Sequence, residues 1–62
     1  MNEIDPRLDP LDVEAVKRDL DRYGIKNYNM RPGNECIWVS YGVVNCYYIL
    51  DKEHNIRDMQ VD

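Results

Sequence analysis

Cys36, Cys46 and His54 are the residues of this sequence best suited to chemistry, and their spacing decides how far that reading can go. A thiolate can attack or bind metal and an imidazole can take a proton, but a working pair must sit within hydrogen-bond reach. The cysteines flank a run that reads as a β-hairpin, so its loop decides whether they meet. With a three-residue loop, Ser40-Tyr41-Gly42, Val39 faces Val43 and Cys36 faces Cys46. Their Cβ atoms would then lie about 4.5–5.5 Å apart, the wide side of disulfide range. A two-residue Tyr41-Gly42 turn sets Ile37 against Cys46 and sends the cysteines to opposite faces. The three-residue loop, with glycine in its left-handed third position, is the preferred register. Lacking a C-x-x-C spacing, the cysteines are read as reduced, buried and hydrophobe-like.

His54 stands in a second loop beside Lys52, Glu53 and Asn55, at the far end of the hairpin from Ser40, and is expected to be solvated. Asp51, Glu53 and Asp58 gather around the same loop without the glycine or the ligand count of a calcium loop. The sequence holds no glycine-rich phosphate loop, no G-x-S-x-G and no H-E-x-x-H. Neither metal nor cofactor is expected, and 62 residues hardly enclose a catalytic pocket. The expectation is that the chain is not an enzyme.

Behind these residues stands one small α+β domain spanning 1–62: an N-terminal helix packed on a small antiparallel sheet. Residues 1–9 are a polar lead-in, in which Asp5-Pro6-Arg7-Leu8 could form a turn. Asp9 can cap a helix, Pro10 suits its first position, and Asp12 and Glu14 complement its dipole. Val13, Val16, Leu20 and Tyr23 repeat at helical spacing, and Gly24 ends the run, which predicts a helix over 10–23. Ile25 to Met30 is a mixed segment read as an extra edge strand, and Arg31-Pro32-Gly33-Asn34 as a turn. Residues 36–39 and 43–50 are strong strands, rich in β-branched and aromatic side chains. After the loop at 51–55, where Asn55 is expected to take a left-handed conformation, 56–61 reads as a polar edge strand. The order is α-β-β-β, with 25–30 as the extra strand.

No apolar run approaches the ~20 residues that span a bilayer, and the acidic start lacks the pattern of a signal peptide, so a cytoplasmic protein is expected. The net charge is −4; residues 1–31 carry seven acids and six bases, residues 32–62 five acids and two bases. That balance disfavours a nucleic-acid partner, which usually meets a basic stripe.

Five tyrosines, one tryptophan and no phenylalanine form an unusual aromatic set, suited to half-wet surfaces. Both faces of the 36–50 hairpin are largely apolar, and one helix covers only one of them. The surplus predicts a contact surface built from Trp38, Tyr41, Tyr47, Tyr48 and Ile49. Non-catalytic protein interaction or regulation is the function this favours, as a homodimer or as a small acidic inhibitor of a larger protein. Mobile elements encode inhibitors of that size and acidity, which occupy the nucleic-acid site of a basic enzyme, though −4 is a modest charge for a mimic. The alternative is a nucleic-acid-binding accessory protein using Lys17, Arg18, Arg22, Lys26 and Arg31, whose bases are interleaved with Asp19 and Asp21.

Overall fold

Asp9 and Pro10 start the helix as their chemistry demands. In the computed structural model, which describes residues 2–62, the Asp9 carboxylate accepts the Leu11 N–H at 2.9 Å. The helix, α1, runs Pro10–Arg22, with Asp12 in its first turn and Arg22 in its last. Gly24 closes it at φ +73°. The Gly24 and Ile25 N–H groups return to Asp21 O and Leu20 O, each at 3.0 Å, the double bond of a Schellman cap. Tyr23, expected on the buried stripe, is the cap residue and lies exposed. Ala15 joins Val13, Val16 and Leu20 in the buried set instead.

The strands are β1 (Glu3–Ile4), β2 (Asn29–Pro32), β3 (Ile37–Tyr41), β4 (Val44–Leu50) and β5 (Ile56–Val61), and they form one sheet in that order. β1 pairs parallel with β2, because α1 carries the chain over between them, and the other pairings are antiparallel. The α+β arrangement is therefore as expected, with a mixed sheet. The lead-in at 1–9 contributes the short β1, and the Asp5 N–H extends it by bonding to Met30 O at 3.1 Å. The extra strand starts later than expected and takes in Arg31 and Pro32; the turn shifts to Gly33–Cys36, closed by the Gly33 N–H on Cys36 O at 2.9 Å.

Neither expected hairpin register is correct. Tyr41 pairs with Val44, so the loop is Gly42-Val43 and Val39 faces Cys46. Gly42 has φ +58° while Val43 does not enter the left-handed region, the sign pattern of a type II′ turn, which matches strand twist. Ile37 and Val39 thereby share a face with Cys46 and Tyr48, and all four are buried under the helix with Met30. Leu20 and Val16 are wholly shielded from water. Cutting Leu20 back to alanine removes about 2–5 kcal/mol, a large part of the stability of a domain this size. Among the described residues no helix is long and apolar enough to cross a membrane.

Candidate functional site: the open face of the sheet

With the core on one face, strand alternation sends Arg31, Trp38, Tyr47 and Ile49 to the other. The register arranges that face in rows across the strands. Asn29, Ser40 and Asn45 form a polar row; Arg31, Trp38, Tyr47 and Gln60 form the middle row; Ile49 and Asp58 follow, with Cys36 just before β3.

The middle row is tightly built. Trp38 and Tyr47 rings lie 5.0 Å apart, tilted by 56°, and the Arg31 guanidinium sits 5.8 Å from the centre of the indole ring. Trp38 also lies against the backbone of Gly33. A Cβ at that position would fall 2.5 Å from Trp38 Cδ1 and 2.7 Å from Cys36 Sγ, so glycine is what lets the indole lie down. Trp38, Tyr47, Ile49 and Cys36 are half-buried, with no element across them among the described residues. Past Ile49 the face descends into a shallow depression of about 650 Å³ at the end of the sheet, with Asp9, Glu35 and Arg57 among its lining residues.

Three of the five expected contact residues, Trp38, Tyr47 and Ile49, therefore come together. Tyr41 and Tyr48 do not, because the register turns them to the helix side. Tyr48 is core: its hydroxyl donates to Asp19 Oδ2 at 2.8 Å, and burial together with Asp19 pushes its phenol well above the ordinary range. Tyr41 packs against the same core. The cysteines are on opposite faces, both free, and burial raises the Cys46 thiol.

The basic residues do not form one surface. Lys17, Arg18 and Arg22 are on α1 and Lys26 follows it, whereas Arg31 is on β2 and belongs to the open face. Arg22 pairs with Asp19 at 3.8 Å and Lys26 with Asp21 at 3.6 Å.

His54 is not the solvated loop residue expected. It, rather than Asn55, takes the left-handed conformation, at φ +66°, and its Nδ1 reaches Asp12 Oδ1 at 2.7 Å and Asp9 Oδ2 at 3.8 Å. Asp12's hydrogen bond raises the imidazole above its ordinary value, with help from the charges of Asp9 and Asp51. Two carboxylates and an imidazole are metal-ligand types, and their ligand atoms lie within 4.8 Å of one another. They gather at the positive end of a helix, which opposes a further cation, so the cluster reads as a tie between α1 and the 51–55 loop. Its 42-residue separation left no signal in the sequence.

Compared with protein-family models, with curated proteins and with solved structures, the chain finds no match.

Proposed function

We propose that this chain is a non-catalytic protein-interaction module that makes contact through the open face of its sheet, around Trp38 and Tyr47. One observation carries the reading: two large aromatic side chains packed at a tilt on the central strands, with no element among the described residues covering them. Aromatic side chains with an arginine beside them are the residues that dominate protein contacts. The apolar centre is bounded by Asn29, Ser40, Asn45, Gln60 and Asp58, which suits an apolar contact with a polar rim.

The test compares wild type with Tyr47→Glu, a surface change that leaves the core residues in place. Self-association by light scattering and partner capture from source lysate are measured for both. Wild type is expected to associate and the variant to lose it with an unchanged circular dichroism spectrum. If the variant keeps every contact of the wild type, the open face is not the contact surface.

A second reading draws on Arg31 beside Trp38 and Tyr47, a grouping that can stack an unpaired base. A charge of −4 opposes it. Binding of single-stranded DNA that falls steeply with salt is its signature.

A further inference from the structure

The charges of the open face are laid out asymmetrically. Arg31 stands on β2 at one flank, Asp58 on β5 at the other, and Trp38, Tyr47 and Ile49 lie between them. Among the described residues neither Arg31 nor Asp58 belongs to an ion pair. Among the described residues Asp58 accepts only from its own neighbours, the Met59 N–H at 2.8 Å and Gln60 Nε2 at 3.3 Å.

Such a face is complementary to itself under one rotation. A two-fold axis along the strands, between β3 and β4, lays β2 of one copy over β5 of the other and keeps each row at its own level. Trp38 then meets the Tyr47 of the second copy, and Arg31 comes within one row, about 7 Å along the strand, of the second copy's Asp58. An arginine side chain spans that gap. An axis across the strands through the middle row would instead set Arg31 against Arg31 in the second copy, a repulsive arrangement.

We infer that the open face pairs with the same face of a second copy of this chain, about the axis along the strands, with Arg31 and Asp58 exchanged between copies in two equivalent pairs. This rests on reading the open face as a protein-contact surface and names its occupant. Four strands about 4.8 Å apart and about 20 Å long give a footprint on the order of 400 Å² per copy. That is small for a specific interface, so the dimer is a weak and concentration-dependent one. Isologous contact of this kind closes at two copies.

The experiment is sedimentation equilibrium from about 10 micromolar to about 1 millimolar, a range suited to weak association. Wild type is expected to move from monomer to dimer. R31D and D58R should each weaken dimerisation about tenfold or more, since each turns two attractive pairs into repulsive ones. Their equimolar mixture should recover it, because a mixed dimer has both pairs opposite in sign. The R31D/D58R double variant should recover it too. Circular dichroism confirms that each variant is folded. A wild type that stays monomeric, or a dimer indifferent to both reversals, overturns the inference. If the monomer still captures another protein in a Tyr47→Glu-sensitive way, the second copy is excluded while the contact surface stands; if Tyr47→Glu changes nothing, both fall.

Discussion

The Tyr48 hydroxyl donates to Asp19 Oδ2 at 2.8 Å, joining the middle of the sheet to the helix across 29 residues of chain. Tyr48 is almost wholly buried, so its hydroxyl depends on this one acceptor. Tyr48→Phe keeps the ring and removes the bond. It is expected to cost about 1–2 kcal/mol and to lower Tm by roughly 8–16 °C in a domain of this size. Thermal unfolding followed by circular dichroism measures both; an unchanged Tm would show that the bond contributes nothing net.

Gly33→Ala puts a methyl group into the Trp38 indole, 2.7 Å from its Nε1. The backbone there is not left-handed, so the effect is steric. Expected results are a loss of about 1–3 kcal/mol and a red-shifted Trp38 emission as the ring leaves its seat. An unshifted spectrum would mean the indole does not rest on Gly33.

His54 makes stability depend on pH in a definite direction. Its folded-state value lies above the unfolded one, chiefly through the bond to Asp12. The contribution is therefore complete below about pH 6 and fades as pH rises through the raised folded value. Denaturant midpoints should decline across that window in wild type and decline less in His54→Gln. Parallel profiles would rule out the Asp12 tie as their source.

Asp5 is held at about 2 by the Arg7 side chain, which donates through Nε and Nη2, the latter at 2.7 Å, and by the Arg7 N–H. Any stability from this clasp is present above the ordinary carboxylate range and is lost only as pH falls through about 2. Carbon-detected NMR titration should find Asp5 among the last carboxylates to protonate, and Arg7→Gln should move it back towards about 3.9. An Asp5 midpoint that ignores the substitution would refute the clasp.

The helix was legible in the sequence because its signals are local: Asp9-Pro10 at one end and Gly24-Ile25 at the other are both used as caps. The hairpin register was not. Val43 is β-branched and reads as strand, yet it is the turn residue beside Gly42 and is 98% exposed. A loop of two residues in place of three reverses the facing of one strand against the other, which sets Tyr47 rather than Tyr48 beside Trp38. The surplus of apolar strand residues was readable from composition; which of them stay uncovered depended on that single turn. β1 is two residues long and carries no pattern, and the pairing of His54 with Asp12 joins two separate elements.

The parallel placement of β1 bears on the order in which the chain assembles. β2 to β5 are joined by tight links between neighbours, whereas β1 meets β2 only after the helix has crossed over, as in the Tyr28 N–H bond to Asn2 Oδ1 across 26 residues. Closing that long loop is the slower event, so the topology favours a meander that forms first and an N-terminal segment that docks last. Native-state hydrogen exchange should mirror the sequence of events, with the Asp5 amide opening early and the β3 and β4 amides late. Residues 2–5 act as the clasp that completes the fold and the first part to let go.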